Sequence, residues 1–121
     1  MKIAVTAKGT DLDAAVDPRF GRAAYILIVD SETFAFRLVD NQANVNAFKG
    51  AGIQAASSLS EQGAEVLLTG YCGPNAFKTL AAAKVKVAND ANVYATVREA
   101  VEAFTQGKLP YASEANVEGH W

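Results

Sequence analysis

Apolar positions recur along the chain in two periods, and the switches between them mark out the elements. Lys2–Ala7 is short, apolar and rich in β-branched residues, and Lys8-Gly9-Thr10-Asp11 follows it, which predicts a strand running into a loop. Lys8–Arg22 holds no sustained period, and Pro18 disfavours helix at the residue before it. Fifteen residues without a period are long for a small domain, and loops of that length are often functional. Ala24–Asp30 and Phe34–Asp40 predict two strands joined by Ser31-Glu32-Thr33 as a hairpin. The first, with Tyr25-Ile26-Leu27-Ile28-Val29, is apolar throughout, as in a strand covered on both faces. In the second, Phe34, Phe36 and Leu38 alternate with Ala35, Arg37 and Val39, the pattern of a more exposed edge strand.

Asn41–Lys49 carries three Asn and one Gln and predicts a second loop. A helix follows over Gly50–Gln62, where Gly52, Ala55, Ala56 and Leu59 recur at i, i+3, i+4 and i+7 and give it a buried face of small residues. Gly63 is its stop. Ala64–Thr69 predicts a strand that ends in Gly70-Tyr71-Cys72-Gly73, and Pro74 suits the first turn of a helix with Phe77, Leu80 and Ala81 on its core face. Val85–Ala88 is a short last strand. Tyr94–Gln106 predicts a helix with Val97, Ala100, Val101 and Phe104 on one side, closed by Gly107. The resulting order, β-β-β-α-β-α-β-α, is that of an α/β protein, in which an opening meander and βαβ units give a mixed sheet with helices on its faces. This is the ribonuclease H-like order. Residues 1–107 form one domain on this reading, and residues 108–121 a C-terminal tail that is extended or partly ordered.

Composition narrows the classes. With 121 residues, 50% of them apolar and 20% charged, the chain is one globular domain rather than a disordered segment. Its net charge of −2 argues against nucleic-acid binding led by phosphates, which usually brings a basic surplus. One cysteine excludes an internal disulfide and any zinc or iron–sulfur site built from several thiolates of one chain. Met1-Lys2-Ile3-Ala4-Val5-Thr6 has no signal-peptide character, and no apolar run approaches the roughly 20 residues that span a bilayer. The expectation is a cytoplasmic protein with neither nucleic acid nor membrane as partner.

Four local strings bear on chemistry. Asp11, Asp13, Asp17, Asp30 and Asp40 invite a metal-dependent nuclease reading, but the first strand holds no acid, and these positions also suit surface and turn residues. Gly50-Ala51-Gly52-Ile53-Gln54-Ala55 matches G-x-G-x-x-A, yet no strand precedes it, so its glycines are read as packing residues. Gly70-Tyr71-Cys72-Gly73-Pro74-Asn75 lies between a strand and a helix, where ligands bind in open α/β sheets; the other reading is a plain tight turn. Asp17-Pro18-Arg19-Phe20-Gly21-Arg22 sets two arginines around a Phe-Gly pair, suited to a polyanion, or to a solvated Asp17 ion pair that pins the loop. Cys72 is a soft ligand or an ordinary small residue, and the only histidine, His120, has no Cys or Ser partner that the sequence places beside it.

Together these strings resemble the dinitrogenase iron–molybdenum cofactor biosynthesis family. The matching elements are Lys2–Ala7, the run Asp17–Ala23 leading into Tyr25–Asp30, Asn41, Gly50-Ala51-Gly52-Ile53, Thr69–Phe77 and the closing Gly119-His120-Trp121. The resemblance implies a ribonuclease H-like fold that binds or carries a sulfide-bridged metal cluster, with no established catalysis. In its one-domain form it also implies a mixed molybdenum–copper sulfide cluster held without covalent attachment. Several cofactor-handling members have His before the Phe-Gly pair where this chain has Arg19, so a metal–imidazole bond is excluded there. The expected cluster site comprises Arg19, Phe20, Gly21, Arg22, Asn41, Lys49, Gly70, Cys72, Gly73 and Asn75, with no direct metal ligand. A protein partner for delivery or regulation is a further expectation. The competing readings are a regulatory interaction module and a small nuclease or phosphatase.

Overall fold

The computed structural model of the chain describes residues 1–41 and 51–112. Among these residues five strands form one sheet: β1 (Lys2–Ala7), β2 (Tyr25–Asp30), β3 (Phe36–Asp40), β4 (Val66–Leu68) and β5 (Lys86–Ala88). Three helices accompany them among the described residues: α1 (Ala51–Glu61), α2 (Pro74–Ala82) and α3 (Val97–Thr105), the last preceded by a 3-10 turn over Ala91–Val93. The sheet order is β3-β2-β1-β4-β5, with β1, β2 and β3 an antiparallel meander and β4 and β5 parallel to β1. Among the described residues the mixed α/β architecture and the order of strands and helices are as the hydrophobic pattern predicts; the loop expected over Asn41–Lys49, beyond Asn41, and the end of the expected tail, 113–121, lie outside the described residues. No helix among the described residues is long and apolar enough to cross a membrane.

The register sorts the strand side chains onto two faces. Ile3, Val5, Leu27, Val29, Val66 and Leu68 pack with Val97, Ala100 and Val101 of α3. Ala4, Ile26, Ile28 and Leu67 pack with Ala55, Ala56 and Leu59 of α1 and Ala76 and Leu80 of α2. The fully buried Ala55, Ala56 and Leu59 are the small-residue face read from their spacing. The central strands are buried on both faces. β3, at the sheet edge, leaves Phe36 and Leu38 42% and 39% exposed.

The boundaries differ from the pattern where tertiary contacts and turns intervene. β3 begins at Phe36 rather than Phe34, because Phe34 sits at φ 61°, a left-handed conformation no strand uses. The hairpin is closed by Asp30, whose Oδ1 accepts the N–H groups of Glu32 and Thr33 at 2.8 and 3.2 Å. Those two bonds hold its carboxyl below the ordinary carboxylate value. α3 begins at Val97 rather than Tyr94, because Thr96 is its N-cap: the Thr96 hydroxyl accepts the Glu99 N–H at 3.2 Å, and Glu99 accepts the Ala95 N–H at 3.0 Å. Beyond Gly107 the chain packs as far as it is described. Leu109 joins the α3-side core, and the Ala112 N–H donates to Val87 O of β5 at 2.7 Å.

Candidate functional site

β1 and β4 run side by side and end together, and what leaves their carboxyl ends builds the site. Each carries a threonine there. The buried Thr6 and Thr69 hydroxyls lie 2.9 Å apart, and Thr6 also donates to the Asp17 carbonyl at 2.5 Å. The long loop after β1 is therefore anchored where it returns. It bridges Ala7 to Val16, buries Leu12 and Val16, and gives its Leu12 and Ala14 carbonyls to the first N–H groups of α3, each at 2.9 Å.

The loop then runs alongside the turn after β4. Arg19 and Tyr71 form a parallel bridge, with the Tyr71 N–H donating to Pro18 O at 2.6 Å and the Phe20 N–H to Tyr71 O at 3.2 Å. Gly70 makes this approach sterically feasible, because a Cβ there would stand 2.7 Å from Pro18 Cα and Cβ. Arg19-Phe20-Gly21-Arg22 is a tight turn closed by the Arg22 N–H on Arg19 O at 3.2 Å, with Gly21 at φ 93° in its third position, as a type II turn requires. Asn41, buried, braces this turn: its Nδ2 donates to Ala23 O at 2.8 Å and to Gly21 O at 3.3 Å.

Of the residues expected in the site, the structure thus brings Arg19, Phe20, Gly21, Arg22, Asn41, Gly70, Cys72, Gly73 and Asn75 to one end of the sheet, while Lys49 lies outside the described residues. Their roles divide by burial. The Phe20 and Cys72 side chains are fully buried in the core beneath α1 and α2. Burial pushes the Cys72 thiol up to about 12, so at neutral pH it holds its proton. Arg19 is half exposed; its Nε lies 3.5 Å from Asp17 Oδ1, which also accepts the Arg19 N–H at 3.0 Å. Asp17 itself is buried, so the pinning ion pair is solvated on the arginine side alone. Beyond this pair the Arg19 guanidinium has no partner among the described residues.

Beside it α2 begins at Gly73, an extended N-cap with no side chain over the helix end. Pro74 has no N–H, and the Phe77 N–H returns to Gly73 O at 2.9 Å. The first-turn N–H of the exposed Asn75 is thus left to an acceptor from outside, while Ala76 is buried. A permanent cation and an uncapped helix end together suit an anion held by charge and hydrogen bonds. Among the described residues no three His, Cys, Asp or Glu side chains gather to hold a metal ion, so the acids do not form the cluster a two-metal hydrolase needs. Thr6, Thr69 and the buried state of Asp17 are what sequence reasoning missed. The one available signal was a threonine near the carboxyl end of each of two parallel strands.

A small mixed α/β domain with a half-exposed arginine bridged to the turn before a helix is the class these features define. Residues 1–107 match the model of the dinitrogenase iron-molybdenum cofactor family, and the chain belongs to that family. It is similar to the apo form of the orange protein from Desulfovibrio gigas, with 52% identity over 96% of each chain and a TM-score of 0.92. It is also similar to a proposed NifB protein of the DUF35 family from Thermotoga, with 37% identity over 98% of each chain and a TM-score of 0.80. No match is found among curated proteins.

Proposed function

We propose that this chain is a non-catalytic carrier of an anionic metal–sulfur cluster, of the mixed molybdenum–copper sulfide type, received at the edge between the Arg19–Arg22 turn and the start of α2. The observation that carries the reading is the Arg19–Tyr71 bridge, which holds a solvent-facing guanidinium beside an uncapped helix N-terminus. Family membership and the likeness to an orange protein support the cargo class. Arg19 and Arg22 supply delocalised charge that desolvates more readily than an ammonium. The Asn75 N–H supplies a hydrogen bond to sulfide, and Asn41, Gly21, Gly70 and Gly73 set the backbone. Phe20 and Cys72 act from below, by packing. The sheet order supports a ribonuclease H-like fold, with residues 1–107 as the carrier domain.

The test is a visible absorption titration of the apo-protein with thiomolybdate and copper, followed by desalting and metal analysis. Charge-transfer bands that stay with the protein at a fixed Mo:Cu ratio are expected. Hydrogen bonds to charged groups contribute about 1.5–3 kcal/mol, so Arg19→Ala and Arg22→Ala should each weaken retention roughly ten- to hundredfold with the fold unchanged by circular dichroism. Unchanged retention in both would overturn the site. A wild-type protein that emerges colourless and metal-free would overturn the carrier role and leave a protein-interaction module as the reading to pursue.

A further inference from the structure

β3 is an edge of the sheet, and its pairing with β2 fixes which of its backbone groups look outward. At the two ends of that pairing the Asn41 N–H donates to Ala24 O and the Asp30 N–H to Ala35 O, each at 2.8 Å. Hydrogen-bonded pairs alternate along an antiparallel ladder, so between these ends Arg37 and Val39 bond to Ile28 and Ile26. The N–H and C=O of Phe36 and Leu38 therefore point away from the sheet, and among the described residues no strand pairs with them. Their side chains lie on the α3 side, in register with Val29 and Leu27, and each is about two-fifths exposed. On the α1 side, in register with Ile28, the exposed Arg37 has no partner among the described residues. With Lys2, Ile28, Asp30, Ala35 and Phe36 it borders a cavity of about 160 Å³. Two of the three charges there are positive, and Asp30 Oδ1 is engaged by the Glu32 and Thr33 N–H groups.

We propose that this edge receives an extended segment of a partner protein, added antiparallel to β3 and carrying an acidic residue between two apolar ones. Three features select that chemistry. Outward N–H and C=O groups on alternate residues recognise the backbone of a strand. In that pairing the residues opposite Phe36 and Leu38 fall on the α3 side and extend an apolar surface that otherwise stops at the edge. The residue between them falls beside Arg37, where a carboxylate meets a positive surplus. The β2–β3 register runs without a bulge and β3 holds no proline, so two usual protections of an edge strand are missing. None of this depends on what the Arg19–Arg22 turn binds.

The probe is the blocked peptide acetyl-Ser-Thr-Val-Glu-Val-Thr-Ser-amide, titrated to millimolar concentration into the isotopically labelled full chain and followed by amide NMR. A peptide with Lys in place of Glu is its control. Saturable shifts and slowed amide exchange are expected at Phe36 and Leu38, with smaller changes at Arg37 and Val39, whose N–H groups β2 already holds. The Lys peptide should bind about three- to tenfold more weakly. Arg37→Glu, at an exposed position, should reverse that preference, with its fold verified by circular dichroism. The absence of a saturable shift in wild type overturns the proposal, as do changes that lack the alternation along β3. A preference that Arg37→Glu leaves unaltered overturns it too. Shifts at Phe36 and Leu38 that grow with protein concentration in the absence of peptide would assign the edge to a second copy and overturn it equally.

Discussion

Gly70 leaves no space for a side chain, and the consequences run further than one clash. A Cβ at this position would meet Pro18 Cα and Cβ and the Asn92 carboxamide oxygen, each at 2.7 Å. Pro18 O is the acceptor for the Tyr71 N–H, so relieving the clash opens the bridge that brings Arg19 to the start of α2. Gly70→Ala should therefore cost about 1–3 kcal/mol in urea unfolding, the usual range for overpacking, and lower cluster retention in the same protein. Retention equal to wild type would separate the bridge from binding. Two residues on, Cys72 gives a pH dependence. Its folded thiol stands at about 12 against 9.0 for an ordinary cysteine, because burial disfavours the thiolate. A pKa raised by folding contributes stability that is full below pH 9 and lost as pH rises toward 12. Wild type should lose more stability than Cys72→Ala between pH 8 and pH 10.5 in parallel urea titrations, and Cys72 should resist thiol reagents at pH 8 until the chain unfolds. Parallel pH slopes in the two proteins would remove the assignment.

Among the elements, the long loop after β1 shows what the hydrophobic pattern reveals and what it hides. Its arginines and its Phe-Gly pair were legible, because turn chemistry and permanent charge are local properties. Its order was not, since it comes from partners far along the chain: Thr6 and Tyr71 hold the returning limb, and α3 takes the carbonyls of Leu12 and Ala14. Asp17 was misread for the same reason, as a carboxylate is buried only once fold and arginine meet around it. The start of α3, by contrast, is a local signal: Thr96 and, three residues on, Glu99 cap it, two residues after the Tyr94 at which the periodic reading begins the helix. Thr96→Ala removes the acceptor for the Glu99 N–H and should cost about 1 kcal/mol in urea unfolding. A change below a few tenths of a kcal/mol would show that Leu12 and Ala14 hold that helix end without it.

For the molecule as a whole, the proposed cargo and the carrier have the same sign of charge. Thirteen acids against eleven bases leave a net −2, so the summed field does not draw an anion in from a distance. Capture must then rest on the local field of one edge, where Arg19 is half exposed and open to screening. The Debye length falls from about 10 Å at 0.1 M salt to about 3 Å at 1 M, so raising salt screens that local attraction while hydrogen bonds from the start of α2 persist. Uptake of preformed cluster, followed by stopped-flow absorbance from 50 to 500 mM salt, should slow severalfold in wild type. Arg19→Gln should start slower at low salt and show a flatter dependence, because the screened charge is the one removed. Identical slopes in the two proteins would mean that the encounter does not pass through Arg19, and the receiving edge would have to be sought elsewhere on the sheet.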